Sequence, residues 1–215
     1  MFAPMRYAVA TAAVCALCCP LFGASVTLTF DDLLPATHEP LSNGYQGFNW
    51  DNFRVLNTHW YDPNPSGFKQ GAVSGNNLAF NYQGNDAWMS RVGGAEFDFV
   101  SAWLISGWRI DLDLDVVAYR DGAIVDQTTI NDLSNQASAQ YAFNFLNIDA
   151  LYFHAYGGAA DPTMAYSSTA FGMDDVLLND VPTVPPNLVP EPMTVLALLL
   201  SAGGVAGYVR RRAAV

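Results

Sequence analysis

The chain has 215 residues, of which 51% are hydrophobic and 13% are charged, and its formal net charge at pH 7 is −11. Between Ser25 and Leu188 the imbalance is larger, because five basic residues stand against nineteen acidic ones, which gives −14. Such a surface repels nucleic acid and anionic lipid, and it favours divalent cations and neutral or cationic partners.

The N-terminus has the pattern of a secretory signal peptide. One positive charge, at Arg6, precedes an apolar stretch from Tyr7 to Gly23, and small residues follow it. We predict a signal peptide over residues 1–25, with cleavage near Ala24 or Ser25. All three cysteines of the chain lie in this segment. The exported protein is therefore expected to contain no cysteine, and so neither a disulfide nor a catalytic thiol.

The segment 26–180 is predicted to be all-β. Short apolar stretches are separated by turn residues, and none keeps a helical period over three turns. Asp121-Gly122, between two such stretches, is a strong signal for a β-hairpin. We predict a single jelly-roll or related β-sandwich of eight or nine strands. The predicted strands are Ser25–Phe30, Phe48–Leu56, Asn77–Tyr82, Ala95–Ile105, Trp108–Tyr119, Ala123–Ile130, Gln140–Phe145, Ala150–Ala155 and Phe171–Leu178.

Two pairs of adjacent aspartates stand at the two ends of this domain. Asp31 and Asp32 close the first predicted strand, and Asp174 and Asp175 lie in the last one. Adjacent carboxylates repel each other unless a cation or hydrogen bonds offset the repulsion. The first and last strands of a jelly roll commonly lie side by side, so the two pairs are expected to meet around a structural Ca²⁺. The alternative is that each pair caps its own turn independently.

A third group of acidic residues alternates with apolar ones. With a period of two, Asp111, Asp113 and Asp115 share one strand face, whereas Ile110 and the intervening leucines share the other. An EF-hand loop is rejected, because it needs a glycine at its sixth position and a terminal glutamate. We predict a solvated strand face here, with a surface metal or a cationic ligand as the alternative.

Aromatic residues are the candidates for ligand binding. Trp60 and Tyr61 lie in a loop rich in Pro, Asn and Gly, where a ring is hard to bury. Exposed rings beside Asn and Asp suit sugar binding, since rings stack on sugars and the polar groups hydrogen-bond to them. Trp50, Trp103 and Trp108 lie in predicted strands and are expected in the core.

The sequence offers little support for catalysis. It contains no nucleophile elbow, no zinc-protease motif and no phosphate-binding loop. His38, His59 and His154 lack metal-ligand spacing and are expected in loops or in the core. A glycosidase needs two facing carboxylates, and among seventeen aspartates some pair will fit by accident. We therefore predict a protein that is not an enzyme, with a secreted glycan hydrolase as the weakest alternative.

The C-terminal tail has three parts. A Pro-rich spacer, residues 181–189, precedes the tripeptide Pro190-Glu191-Pro192. The apolar run Met193–Val209 would span about 25 Å as a helix, the short end of the range for a membrane span. The cluster Arg210-Arg211-Arg212 follows it and would anchor the helix on the cytoplasmic side.

This arrangement, residues 190–215, resembles the PEP-CTERM sorting signal of exopolysaccharide-producing Gram-negative bacteria. The resemblance implies recognition by an exosortase, a membrane transpeptidase, and cleavage near the Pro-Glu-Pro motif. The protein would then be anchored in the membrane only transiently, before it reaches the cell surface or the extracellular matrix. An ordinary tail anchor is the alternative.

The body also resembles the jelly-roll ectodomain of many PEP-CTERM proteins, which is distantly similar to calcium-containing carbohydrate-binding modules. We predict an exported, non-catalytic surface or matrix protein that associates with exopolysaccharide and holds a structural calcium ion. The rival interpretation is a carbohydrate-binding module with a defined glycan, held by Trp60 and Tyr61. The resemblance rests on Phe30-Asp31-Asp32, Tyr45–Phe53, Ser66-Gly67-Phe68, Gly71, Ser74-Gly75-Asn76, Ala79-Phe80-Asn81, Phe143-Asn144-Phe145 and Gly172–Asp175.

Overall fold

The computed structural model describes residues 24–35, 37–62 and 64–180, which form two antiparallel β-sheets packed face to face. These ranges contain strands, turns and short 3₁₀ helices but no α-helix, in agreement with the predicted all-β sandwich. No helix in the described ranges is long and apolar enough to cross a membrane. The predicted signal peptide, spacer and sorting signal lie outside the described residues, apart from the last two residues of the signal peptide.

Twelve strands occur in the described part of the chain, more than the eight or nine predicted. The seven-stranded sheet has the order β10-β7-β12-β5-β4-β2, with β1 also paired to β12, and the five-stranded sheet has the order β3-β6-β11-β8-β9. In chain order the strands are β1 (Ser25–Leu28), β2 (His38–Pro40), β3 (Phe48–Asp51), β4 (Phe53–Asn57), β5 (Asn77–Asn81), β6 (Ala87–Arg91), β7 (Phe97–Ser106), β8 (Arg109–Arg120), β9 (Ala123–Leu133), β10 (Ala139–Ile148), β11 (Ala150–Ala160) and β12 (Phe171–Asp180).

The first and last strands are neighbours, as predicted. Leu28 of β1 lies opposite Val176 of β12, and further along β12 Met173 lies opposite Ala79 of β5. Strands β1 and β5 therefore follow one another along the same edge of β12. The end of β1 and the start of β5 meet beside Asp174.

The main core lies between the two sheets and is rich in phenylalanine. Its largest fully buried side chains include Phe30, Phe48, Phe97, Phe99 and Phe153. On β8, Leu112, Leu114 and Val116 are fully buried, whereas the aspartates between them point outwards. The predicted position of Ile110 on the buried face is wrong, since its side chain is 39% exposed. Asp111 adopts φ of 53°, and this left-handed residue breaks the alternation at the start of the strand.

One predicted strand, Phe48–Leu56, is two strands that belong to different sheets. Asn52 separates them with φ of 57°, a conformation that Asn tolerates better than most residues. Its side-chain amide donates to the carbonyl oxygens of Tyr82, Asn85 and Asp86 at 3.0–3.2 Å. These hydrogen bonds hold the corner at which the chain crosses from the five-stranded to the seven-stranded sheet.

A second, smaller core covers the outer face of the seven-stranded sheet. The connection between β4 and β5, which contains two 3₁₀ helices (Thr58–Tyr61 and Gly67–Gln70), folds over that face. Trp108, predicted in the core, is buried here with 4% exposure. The apolar members of this cluster are Leu56, Phe68, Leu78, Phe80, Ile105, Trp108 and Ala170.

Candidate functional site

An open cleft of about 570 Å³ lies above this second core, and we refer to it as the aromatic cleft. Its lining comes from strands β2 and β5, from the β4–β5 and β5–β6 connections, from the turn between β7 and β8 and from the segment between β11 and β12. Ring-bearing side chains predominate, and hydroxyl and amide groups stand among them. The lining residues are His38, Tyr61, Phe68, Phe80, Tyr82, Gln83, Trp108, Tyr166, Ser167, Ser168 and Ala170.

Trp108 organises one wall of the cleft. Tyr61 and Tyr166 both meet its indole edge-to-face, with ring centroids 5.1 Å and 5.0 Å away. Phe68 supports it from below at 5.5 Å. Because edge-to-face pairs are the favoured arrangement of aromatic rings, this wall is preorganised. Its outermost ring, Tyr166, is 63% exposed and is free to meet a ligand.

The opposite wall is formed by Tyr82 and His38, whose ring centroids are 5.9 Å apart. The guanidinium carbon of Arg54 lies 3.8 Å from the ring centroid of Tyr82. The same guanidinium donates to the carbonyl oxygen of His38 at 3.2 Å. A cation–π contact combined with a hydrogen bond therefore fixes both rings in place.

The rim of the cleft is residues 161–170, the connection between β11 and β12, which we call the rim segment. At its start, the buried carboxylate of Asp161 accepts hydrogen bonds from the hydroxyl and backbone N–H of Thr163, at 2.6 Å and 2.9 Å. It also accepts one from the side chain of Asn135 at 2.9 Å. These bonds, those from Thr163 above all, lower the pKa of Asp161.

Arg109 fixes the other end of the rim segment. Its Nε donates to the carbonyl oxygen of Ser167 at 2.9 Å, and its Nη1 donates to the carbonyl oxygens of Gly157 and Gly158 at 2.8 Å and 2.9 Å. The rim segment is thereby tied to the end of β11. Arg109 is a positioning residue for the cleft and is not among its lining residues.

The cleft offers hydrogen-bond donors between its rings. Burial, with a smaller effect of Tyr166, raises the pKa of Tyr61 to about 12, so its phenol stays protonated and can donate a hydrogen bond. None of the lining residues in the described part of the chain is Asp or Glu. Glycoside hydrolysis ordinarily needs two carboxyl groups facing each other across the bond.

The two residues predicted to bind a ligand have different positions. Tyr61 lines the cleft, whereas Trp60, 49% exposed, points elsewhere and is not among the lining residues. The sequence analysis missed Tyr82, Trp108 and Tyr166 as members of one site. Tyr166 follows a stretch with no strand pattern. Like Tyr61, it is an aromatic residue in a loop, and this feature could have identified it.

Three of the four paired aspartates converge on one turn, Val73–Asn77. Asp31 accepts hydrogen bonds from the backbone N–H groups of Asn76 and Asn77 at 2.9 Å and 3.1 Å. The fully buried Asp174 accepts hydrogen bonds from the backbone N–H groups of Val73 and Ser74 at 2.8 Å and 3.0 Å. In addition, the hydroxyl of Ser74 donates to Asp175 at 2.6 Å. Asp31 of the first pair and both members of the second pair therefore contact the same turn.

The carboxylates in this turn are held by N–H and O–H donors. Asp32, the fourth of the paired aspartates, faces a different segment and accepts a hydrogen bond from the Tyr45 hydroxyl at 2.7 Å. Burial raises the pKa of Asp174 to about 6, despite the hydrogen bonds that it accepts. Among the described residues, no group of three or more His, Cys, Asp or Glu side chains is arranged to hold a metal ion.

The protein is similar in fold to a DUF4465 family protein from Bacteroides caccae, with 12% identity and a TM-score of 0.50 over 74% of this chain and 100% of that chain. For a DUF4465 family protein from Bacteroides ovatus the identity is 9% and the TM-score 0.49, over 73% and 89% of the two chains. For CBM51 from Clostridium perfringens GH95, in complex with methyl-galactose, the identity is 9% and the TM-score is 0.36, over 73% of this chain and 100% of that chain. No family model and no curated protein matches the sequence.

Proposed function

We propose that this chain is an exported, non-catalytic carbohydrate-binding protein that holds a neutral glycan of the exopolysaccharide in the aromatic cleft. The observation that carries this proposal is the convergence of Tyr61, Tyr82, Trp108 and Tyr166 on one open cleft. Sugars offer apolar C–H faces to such rings and hydroxyl groups to polar neighbours such as Gln83 and Ser168.

Binding of the exported protein to the producing organism's own exopolysaccharide, measured by co-sedimentation, tests this proposal. Tyr166→Ala removes the most exposed ring of the cleft, and we expect affinity to fall at least about fivefold, as for other anchoring aromatic residues. Trp60→Ala is the matched control, because it removes an exposed ring that does not line the cleft. Equal binding by both variants and the wild type would refute the cleft as the glycan site.

We further propose that Ca²⁺ stabilises the turn at Val73–Asn77. The convergence of Asp31, Asp174 and Asp175 there supports this proposal, since Ca²⁺ combines carboxylates with backbone carbonyls. Calcium added to chelated protein should raise the melting temperature, because a ligand of the native state stabilises by mass action. The rise should vanish in Asp174→Ala and persist in Asp32→Ala. A melting temperature that does not respond to calcium contradicts this proposal.

For the tail, we propose processing by an exosortase and delivery to the surface or extracellular matrix of a Gram-negative cell. The order of Pro190-Glu191-Pro192, an apolar run and an arginine cluster supports it. Mass spectrometry of the protein from its final compartment should show that Met193–Val215 has been removed. A full-length tail in that compartment would favour an ordinary membrane anchor instead.

A further inference from the structure

A second aromatic surface lies on the opposite side of the sandwich, on the outer face of the five-stranded sheet. On β11, Tyr152, His154 and Tyr156 alternate with buried residues and point outwards. Trp88 of the neighbouring strand β6 lies directly opposite Tyr152. With Tyr119 of β8, these five side chains form what we call the aromatic platform.

The rings of the platform form a continuous row. Trp88 lies 4.7 Å from Tyr152 and 5.3 Å from Tyr119, measured between ring centroids. Along β11, His154 stacks between Tyr152 and Tyr156 at 6.4 Å and 5.3 Å, with interplanar angles of 3° and 21°. Strand pairing sets these spacings, so the row is preorganised on the most regular part of the fold.

Carboxylates border the row. Asp86 accepts hydrogen bonds from the Tyr152 hydroxyl at 2.7 Å and pairs with Nδ1 of His154 at 2.6 Å, and these two contacts lower its pKa. Asp115 and Asp113 of β8 lie opposite His154 and Tyr156. The alternating aspartates, predicted as a solvated strand face with a metal or a cationic ligand as the alternative, therefore stand beside the rings.

Most of the described cationic side chains are bound elsewhere. Lys69 pairs with Asp62 and Arg91 with Asp180, while Arg54 lies over Tyr82 at the other sheet. Arg109, at the margin of the platform, donates to backbone carbonyl oxygens. Arg120, the remaining described basic residue, follows Tyr119 on β8. The platform thus combines partly exposed rings with carboxylates that Lys69, Arg91 and Arg54 do not neutralise.

We propose that the aromatic platform binds an extended polysaccharide that carries protonated amino groups, such as a de-N-acetylated hexosamine polymer. The C–H faces of its sugars stack on the rings, and its ammonium groups meet both the π-faces and the carboxylates. A shallow pocket of about 220 Å³ beside the rings, lined in part by Asp115, Gln127 and Thr129, offers hydrogen-bonding groups to the same chain.

Charge argues against a second copy of the protein as the occupant. A two-fold interface brings the same patch of both subunits together, so the aspartates of one platform would face those of the other. A cationic glycan removes this repulsion instead. The site is separate from the aromatic cleft and its proposal does not depend on that of the cleft.

Calorimetric titration of the exported protein with glucosamine oligomers tests the platform, at a pH that keeps their amino groups protonated. N-acetylated oligomers of equal length are the reference ligands. We expect the glucosamine oligomer to bind at least about tenfold more tightly than its N-acetylated counterpart. The affinity should fall with increasing salt, since exposed charges are screened.

Variants separate the two surfaces. Trp88→Ala and Asp113→Asn should each weaken glucosamine binding at least about fivefold, whereas Tyr166→Ala in the cleft should leave it unchanged. Unchanged melting temperatures will show that the variants are folded. Equal affinity for both oligomers would overturn the proposal, as would wild-type binding by Trp88→Ala and Asp113→Asn. Polylysine binding as tight as that of the glucosamine oligomer would assign the surface to cationic peptides.

Discussion

The substitution Gly67→Ala, which adds a single methyl group, is expected to disturb the aromatic cleft. A Cβ atom at this position would lie 2.0 Å from the carbonyl oxygen of Ser106 and 2.9 Å from that of Asn135, so the backbone must move. We expect Gly67→Ala to lower the free energy of unfolding by about 1–3 kcal/mol, as overpacking usually does. Chemical denaturation measures this loss.

Glycan binding provides the second readout for Gly67→Ala, because Tyr61 and Phe68 sit on the same connection. Gly93→Ala is the comparison variant, since a Cβ there meets nothing within 4 Å and the cost comes from its φ of 78° alone. Gly93→Ala should keep wild-type glycan affinity. Wild-type affinity in Gly67→Ala would contradict the role that we assign to this close packing.

Asp174 is expected to stabilise the protein even without calcium. Asp174→Ala leaves the partly buried backbone N–H groups of Val73 and Ser74 without their acceptor, and each hydrogen bond lost to a charged group costs about 1.5–3 kcal/mol. Measured in chelator at neutral pH, the free energy of unfolding should fall by about 2–4 kcal/mol. Asp32→Ala, which removes an exposed carboxylate, should cost less than about 1 kcal/mol. Equal losses in the two variants would contradict this assignment.

The rim segment is the connection whose contribution to stability is expected to fall at acidic pH. The folded-state pKa of Asp161 is lowered from 3.8, so the unfolded chain takes up this proton first as the pH falls. The stability that Asp161 contributes is thus complete above about pH 5 and is lost below about pH 4.

Asp161→Asn isolates this contribution, because Asn does not titrate. The difference in free energy of unfolding between wild type and Asp161→Asn should be constant above about pH 5 and should shrink as the pH falls below about 4. Asp126→Asn, on the exposed face of β9, controls for the loss of one negative charge. A difference that grows on acidification would have the wrong sign and would contradict the prediction.

The sequence is most informative about elements whose pattern is local. The hairpin at Asp121-Gly122 is confirmed, since both residues have positive φ, 52° and 75°, as its tight turn requires. The split at Asn52 was missed because apolar residues resume directly after the corner, with Trp50 before it and Phe53 after it. Strand β2 was missed because its three residues, His38–Pro40, are too few to show a period.

Other parts of the site could not be predicted because they depend on distant pairings. The neighbouring positions of β1 and β12, which bring Asp31 to the same turn as Asp174 and Asp175, could be predicted because the adjacency of first and last strands is a property of the whole jelly roll. Trp108 and Tyr166, by contrast, come from the β7–β8 turn and the rim segment, which are distant in sequence and meet only in the folded sandwich. The platform residues alternate on β11, but nothing in the sequence of β6 shows that Trp88 pairs with Tyr152.

For the molecule as a whole, the two aromatic surfaces face in opposite directions. The cleft lies on the outer face of the seven-stranded sheet, and the platform lies on that of the five-stranded sheet. In a sandwich, two such faces are separated by the core, about 10 Å between the sheets, so one ligand need not exclude the other. With both proposed sites occupied, the protein would join two different polysaccharide chains.

Bridging is therefore expected when both ligands are present. Light scattering of the exported protein mixed with the producer's neutral exopolysaccharide and a glucosamine polymer should rise well above that of either polymer alone with protein. Each protein then links two multivalent chains, which raises the avidity of the network without new contacts. Tyr166→Ala and Trp88→Ala should each abolish the rise, because either one disconnects one polymer. If only the doubly substituted protein lost the rise, each surface would bind both polymers, and the assignment of one polymer to each face would be wrong.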